Sequence, residues 1–420
     1  MKQYPFLTTK WGKSVFALFL TAMLLLARDT LITSCLVGFT KSQFAMLGII
    51  CLLELAFLLK NRKRWKEILL DPRVGIMVVC TLIPLLLMVS KRDWQLMYFS
   101  ILLCLLFAVF LTCFTDWRRV AKYYVCILAG LSLYSLVAMY LFKPMALNGT
   151  IHPQTFMNSE GMEFYHFGLA YVVPWEFWHR NFGIFREPGV YQFFLILGLY
   201  LNHYGVNWEK PWQRWLISGI LAVTMVSTFA IGGFVEMGAF ALFLYFDKKW
   251  YRTRLGKLLG LGAVVALVAM VIHIIVRINT PYFELTVYYE FYDMFRRLTT
   301  DSDSLVDRFS AIFTSAELFL QHPLLGSTIS QVLHGTAHNT SSTLILFATL
   351  GVAGGAVHVA SWIALLWRKE RCILGNLMLL GILLLSFNTQ NLVADVFFWL
   401  FPMMALTEKL LTRWNLPKGD

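Results

Sequence analysis

Apolar runs separated by short polar segments repeat along the whole chain. Twelve runs are long enough to form transmembrane helices once flanking residues are included, because about 20 apolar residues in a helix cross a bilayer. The predicted spans are residues 14–27, 42–59, 74–89, 97–114, 123–142, 190–201, 216–231, 234–246, 258–276, 342–367, 372–387 and 396–406. The pattern predicts an all-α polytopic membrane protein, with residues 1–420 forming one membrane domain.

The composition supports this interpretation. Hydrophobic residues make up 58% of the chain and charged residues 14%, whereas soluble domains average about 45–50% and about 25%. A soluble domain with a single anchor is excluded, since the apolar excess extends over the whole length.

The distribution of basic residues predicts the orientation. With a cytoplasmic N-terminus, 25 of the 36 Lys and Arg fall in cytoplasmic loops and termini. The positive-inside rule therefore favours an N-in, C-in topology. The net charge of +12 is accounted for by anionic membrane lipid as a partner. A nucleic-acid surface is not predicted, because the charges are scattered over many short loops.

Two long loops are predicted outside the cytoplasm, at residues 143–189 and 277–341. The first contains nine Phe, Tyr or Trp within residues 164–185. Two interpretations stay open for these aromatic residues. They form a belt at the membrane interface, or they stack on sugar rings; Trp175, Trp178 and Tyr191 are the stacking candidates.

The second loop contains a predicted amphipathic helix. Apolar residues recur at helical spacing, and Ser304 with Asp307 resembles a capping box. Pro323 and Gly326 end the helix. We expect it to lie on the bundle or on the bilayer surface. Its apolar stripe consists of Leu305, Phe309, Ile312, Phe313, Ala316 and Leu320.

Charge collects just before the span at 190–201, in Arg180, Arg186 and Glu187. These residues could pair with one another or anchor a helix end. However, the other outer loops avoid basic residues, and Pro188 opens a helix at once. The N-terminal N–H groups of this helix, together with the guanidinium groups of Arg180 and Arg186, predict an anion site suited to phosphate.

A second polar group precedes the span at 342–367. His338 and Asn339 stand there, and His338 can act as a base or as a phosphate ligand; the alternative is a residue that only caps the helix. His334 lies four residues earlier, but no third ligand is evident, so no metal site is predicted. Glu54, Glu236 and Asp395 lie within or near apolar runs and are further candidates.

Residues 180–189, RNFGIFREPG, resemble the RxxGxFxEP signature of the O-antigen ligase/polymerase superfamily. This superfamily contains Wzy-type polysaccharide polymerases and lipid A-core O-antigen ligases. A second stretch is similar to its other signature: Arg308, HPLLG at 322–326, His338-Asn339, and Gly351-x-x-Gly354. The order of the motifs, the number of spans and the large outer loop also agree with the family.

The resemblance implies a metal-independent glycosyltransferase without a cofactor, in the bacterial cytoplasmic membrane. Its donor and acceptor are glycans on undecaprenyl diphosphate, and a flippase and a chain-length regulator are candidate partners. Arg180 and Arg186 would hold the diphosphate, with Arg308 and Asn339 as further ligands. His338 or Glu187 would be the base.

Glu187 favours a polymerase, since ligases of the family often lack this glutamate. A ligase that transfers finished glycan to lipid A-core or another acceptor is the alternative. A transporter or flippase of lipid-linked sugars is the second alternative, and the absence of an internal repeat disfavours it.

Overall fold

The computed structural model describes residues 10–27, 30–33, 70–157, 161–175, 180–277, 303–334, 341–388 and 390–413, with isolated positions between 44 and 67. The described chain is mostly helical. Its helices are α1 Lys10–Leu25, α2 Pro72–Lys91, α3 Leu96–Leu111, α4 Trp117–Val137, α5 Pro188–Tyr200, α6 Pro211–Ser227, α7 Ile231–Asp247, α8 Arg254–Arg277, α9 Asp303–Gln321, α10 Ile329–His334, α11 Ser342–Leu366, α12 Ile373–Asn388 and α13 Val396–Arg413.

Helices cover eleven of the twelve predicted spans, and the span at 42–59 falls mostly outside the described residues. Among the described residues, three helical stretches are long and apolar enough to cross a membrane: Pro72–Lys91, Trp117–Leu147 and Ser342–Leu366. The second is α4 together with a π-helical turn, Ala138–Phe142, and a further helical turn, Lys143–Leu147. The apolar composition and these helices are those of a helical membrane protein.

Helix α5 lies at the centre of the bundle. Its side chains from Val190 to Tyr200 are buried on every face, as its nearly continuous apolar sequence requires. The Tyr124 hydroxyl of α4 donates to the carbonyl of Phe194 at 3.0 Å, and the rings of Phe194 and Phe397 of α13 are 5.8 Å apart. Gly198 permits this packing, since a methyl group there would lie 2.7 Å from Leu128.

The first long loop contains a small antiparallel sheet, which differs from the all-α prediction. Strands β1 Gln154–Met157, β2 Glu163–His166 and β3 Tyr171–Val172 pair in the order β1-β2-β3. In this register Phe156 of β1 is paired with Phe164 of β2, and Tyr165 of β2 is paired with Val172 of β3. Strands of two to four residues are too short to leave a clear alternating pattern in the sequence.

Much of the predicted aromatic cluster forms the core of this loop. The rings of Phe164 and Phe182 meet edge to face at 5.3 Å, and Phe156 meets Tyr171 in the same way at 5.2 Å. Phe164, Tyr171 and Phe182 are buried. These rings are therefore packed against each other rather than displayed as a belt or a platform.

Helix α11 is sharply bent, although the sequence predicts one continuous span there. Gly351 has φ 62° and ψ −163°, a conformation that essentially only glycine adopts. Thr343 Oγ1 and His358 Nε2 lie 3.5 Å apart, whereas fifteen residues of straight helix span about 22 Å. A methyl group on Gly355 would lie 2.3 Å from the Phe347 ring. The two halves of α11 therefore fold back on each other.

Helix α9 confirms the helix predicted in the second loop, but a different face packs on the bundle. Ala311 and Ser315 are buried, and Phe319 meets Phe347 of α11 at 5.4 Å. In contrast, Phe313 and Leu320 of the predicted stripe are 71% and 75% exposed. Small residues allow the close approach to α11, which leaves the bulky apolar residues facing outward.

Candidate functional site

The first signature segment is held in place by Asn181 and Gly183. The Asn181 side chain donates to Ser135 and Ser227 at 3.0 Å each and accepts from the Gly183 N–H at 2.9 Å. Gly183 has φ +57°, and a methyl group there would lie 2.6 Å from the Tyr191 ring. The two residues thus fix the chain on both sides of Phe182, directly before the charged residues.

Arg186 and Glu187 form an ion pair at the start of α5. Arg186 Nη2 lies 3.3 Å from Glu187 Oε1, and both side chains are about one-third exposed. Glu187 is the N-cap residue, yet its side chain does not cap the helix. The first N–H groups of α5 therefore keep their capacity to bind an anion. Arg180 is nearby in the chain and donates through Nε to the Thr228 carbonyl at 3.4 Å.

The three stacking candidates have different environments. Trp175 is half exposed, and Trp178 lies outside the described residues. Tyr191 is 1% exposed; its hydroxyl pairs with Ser132 at 2.9 Å, and its ring packs 5.0 Å from that of Phe185. This burial does not fit the predicted stacking role, because α5 is enclosed by other segments on every face and both faces of the Tyr191 ring are covered by the protein.

The HPLLG stretch of the second signature packs directly on the bend of α11. The Val352 N–H donates to the Pro323 carbonyl at 2.8 Å, and the Ser327 N–H to the Ala348 carbonyl at 2.6 Å. A methyl group on Gly351 would lie 2.2 Å from the Leu324 carbonyl oxygen. This glycine of the second signature thus allows a turn to pack closely on a bent helix.

Two residues that the sequence did not single out stabilise this region. The Lys91 ammonium donates to the carbonyls of Ser327 and Thr349, at 2.9 and 2.6 Å. Asp93 accepts from the Ile329 N–H at 2.6 Å and from the Ser330 hydroxyl at 3.0 Å. Lys91 therefore binds carbonyls beside the bend, and Asp93 caps α10. In the sequence they appear only as a lysine and an aspartate two positions apart, just after the predicted span at 74–89.

The two signature segments meet on the turn between α12 and α13. Gln390 packs on Gly189, where a methyl group would lie 2.4 Å from Gln390 Nε2. The Ser342 hydroxyl donates to the Gln390 carbonyl at 2.5 Å and accepts from the Leu392 N–H at 2.8 Å. We call residues 187–189, 341–343, 388 and 390–392 the three-segment junction.

The three-segment junction lies deeper in the bundle than the bend of α11. His358 is seven residues beyond Gly351 and thus about 10 Å along the helix, and Thr343 contacts His358. Three helices, α5, α11 and α13, begin at or next to the junction. Their N-terminal ends carry partial positive charge, so their fields add at this place.

Asn388 and Asp395 cap two of these three helices. Asn388 Oδ1 accepts from the Thr343 N–H at 3.1 Å, and Asp395 Oδ1 accepts from the Phe397 N–H at 2.8 Å. Asp395 is thus a buried helix cap. Glu236 is 1% exposed within α7, and a methyl group on Gly233 of the same helix would lie 2.2 Å from Gln192.

Part of the predicted site lies outside the described residues. His338, Asn339 and Glu54 lie outside the described residues, as does the Arg308 side chain. The described chain resumes at Ser341, three residues beyond His338, within the three-segment junction. In the described part of the chain, no three His, Cys, Asp or Glu side chains are grouped as metal ligands would be.

Comparison of the chain with protein-family models, with curated proteins and with solved structures finds no match in any of the three. The resemblance stated above therefore depends on the two signature segments. Chemically, the start of α5 presents the Arg186 guanidinium, the Glu187 carboxylate and uncapped helix N–H groups, a set that suits a phosphorylated ligand.

Proposed function

We propose that this protein is a glycosyltransferase that polymerises oligosaccharide units carried on undecaprenyl diphosphate. In this proposal the reaction takes place at the outer face of a bacterial cytoplasmic membrane. The growing glycan leaves its diphosphate carrier and is joined to a hydroxyl group of a new lipid-linked unit. The product is a surface polysaccharide such as O-antigen, capsule or exopolysaccharide.

One observation carries the proposal: two signature segments far apart in sequence approach the same turn. Gln390 packs against Gly189, directly after Arg186 and Glu187, and binds Ser342, which follows the His338-Asn339 motif closely. Such convergence is what a single site for donor and acceptor requires.

Roles follow from the chemistry of each group. Arg186 and Arg180 offer N–H donors to the diphosphate, and the start of α5 adds backbone N–H groups. These interactions stabilise the negative charge that the leaving diphosphate develops. His338 or Glu187 removes the proton from the acceptor hydroxyl. Arg308 and Asn339 are further candidates for diphosphate binding.

The proposed topology has twelve spans with both termini in the cytoplasm. Contacts between segments that are distant in sequence support this topology, because they join residues predicted to lie on the same side of the membrane. Outer residues bind outer residues, as Asp93 does with Ser330. Inner residues bind inner residues, as Arg371 does with Asp247 at 3.1 Å. The first half of α11 turns back within the membrane in this arrangement.

The experiment is chain growth by purified full-length protein supplied with a lipid-linked repeat unit in detergent. Wild type should produce a ladder of polymer lengths. Replacing His338 by Ala should lower the rate by about 10²–10⁴-fold, the usual contribution of a general base. Arg186→Ala should remove a charge-assisted contact of about 1.5–3 kcal/mol and slow the reaction by roughly tenfold to a hundredfold.

Arg119→Ala is the matched control, because Arg119 is exposed at the opposite end of the bundle. It should grow chains at the wild-type rate. Chain growth at the wild-type rate by Arg186→Ala, or by both His338→Ala and Glu187→Ala, would refute the proposal. If wild type couples no repeat units yet transfers finished glycan to lipid A-core, the ligase alternative replaces the polymerase.

A further inference from the structure

Gln390 is a mostly buried residue with a side-chain amide that the proposed function has not yet used. The residue is 6% exposed, and its amide forms no hydrogen bond within the described chain, whereas its backbone carbonyl is bound by Ser342. An amide without a protein partner on an otherwise buried residue is free to bind a ligand.

The amide points at the beginning of α5. Its nitrogen is so close to Gly189 that a methyl group there would lie 2.4 Å away. Gly189 belongs to the first turn of α5, where the backbone N–H groups have no partner in the helix and Glu187 supplies no cap. The amide and these N–H groups therefore form a neutral set of donors beside the Arg186–Glu187 pair.

We propose that Gln390 binds a phosphoryl oxygen of the polyprenyl diphosphate together with the first N–H groups of α5. The inference rests on the proposed function, since it assigns the ligand of the same site. Neutral donors suit this position because the adjacent guanidinium groups already balance much of the ligand charge. The bond from Ser342 fixes the backbone at Gln390, and packing on Gly189 positions the side-chain amide for the ligand.

The test measures binding of undecaprenyl diphosphate to the purified full-length protein in detergent. Gln390→Ala should weaken binding about tenfold, as expected for a hydrogen bond to a charged group. Gln390→Met keeps the volume of the side chain and should weaken binding equally, so a folding defect in Gln390→Ala would not obscure the result. Gln321→Ala is the matched control, because Gln321 is exposed on α9 and bonds only to Glu317.

Gly189→Ala provides an independent test through a double-mutant cycle. In wild type the added methyl group displaces the amide, and binding should fall about tenfold. In Gln390→Ala the space is already empty, so the same methyl group should have little further effect. If the fold losses in affinity of the two single variants multiply in the double variant, the two residues act separately, and the inference is overturned.

Failure of the inference and of the proposed function are distinguishable. If Arg186→Ala weakens binding but Gln390→Ala and Gln390→Met bind like wild type, Gln390 is not a ligand and the proposed function stands. If wild type does not bind undecaprenyl diphosphate, or Arg186→Ala leaves binding unchanged, the proposed function fails as well. Competition with inorganic diphosphate separates recognition of the head group from adsorption of the lipid tail.

Discussion

At the scale of single residues, glycines decide the geometry around the charged segment. Gly183 adopts φ +57° and leaves room for the Tyr191 ring, and Gly189 leaves room for Gln390. Neither requirement is visible in the sequence, where a glycine only signals conformational freedom. The sequence did identify the charged side chains themselves, because basic residues are rare in the predicted outer loops.

Gly183→Ala tests this role of glycine. The positive φ is strained for alanine, at about 1–3 kcal/mol, and the methyl group pushes on the Tyr191 ring. We expect a lower midpoint of thermal unfolding in detergent and slower chain growth. Gly219→Ala is the control, since Gly219 has open space around it and lies within α6, where alanine is the better helix former. Equal effects of the two substitutions would contradict the prediction.

At the scale of elements, α11 is where the structure departs most from the expected helices. An apolar run of this length predicts a straight span. The bend at Gly351 depends instead on remote partners, since the turn at 323–326 and the Lys91 ammonium bind the backbone around it. Partners this far apart in the chain leave no local pattern, which is why the bend could not be predicted.

A distance measurement tests the bend. Spin labels on Thr343→Cys and His358→Cys, in a background without other cysteines, should lie much closer than the about 22 Å of a straight helix. The pair Ile373→Cys and Asn388→Cys at the two ends of α12 has the same separation in sequence and serves as the straight reference. Double electron–electron resonance in detergent gives both distances. Equal distances in the two pairs would rule out the folded-back helix.

At the scale of the whole molecule, a cluster of charges ties helix ends together on the side opposite the three-segment junction. Asp247 pairs with Arg371 at 3.1 Å and accepts from the Tyr204 hydroxyl at 2.6 Å. Burial raises the pKa of Asp247, but the hydrogen bond from Tyr204 and the charge of Arg371 lower it further, so the net pKa lies below its ordinary value. The ionised form is therefore stabilised by folding.

The sign of this shift predicts a pH dependence. Stability from Asp247 is fully present above the ordinary aspartate pKa of about 4 and is lost as the pH falls through the lower folded value. Asp247→Asn should lower stability at neutral pH by about 1–3 kcal/mol, because Arg371 loses its partner. Thermal unfolding at several pH values checks this. The difference from wild type should shrink on acidification, and a constant difference would contradict the prediction.

The sequence by itself determined the class of protein, the position of most helices and the charged residues that precede α5. The apolar runs, their lengths and the positions of the basic residues can be read directly from the sequence. They determine the class of protein and the helices because burying polar groups in lipid is costly. The tertiary structure alone decided that the two signature segments approach one turn, that α11 folds back and that Gln390 faces Gly189. Those features depend on packing between residues far apart in the chain, where a single methyl group at Gly189 or Gly351 would prevent the contact.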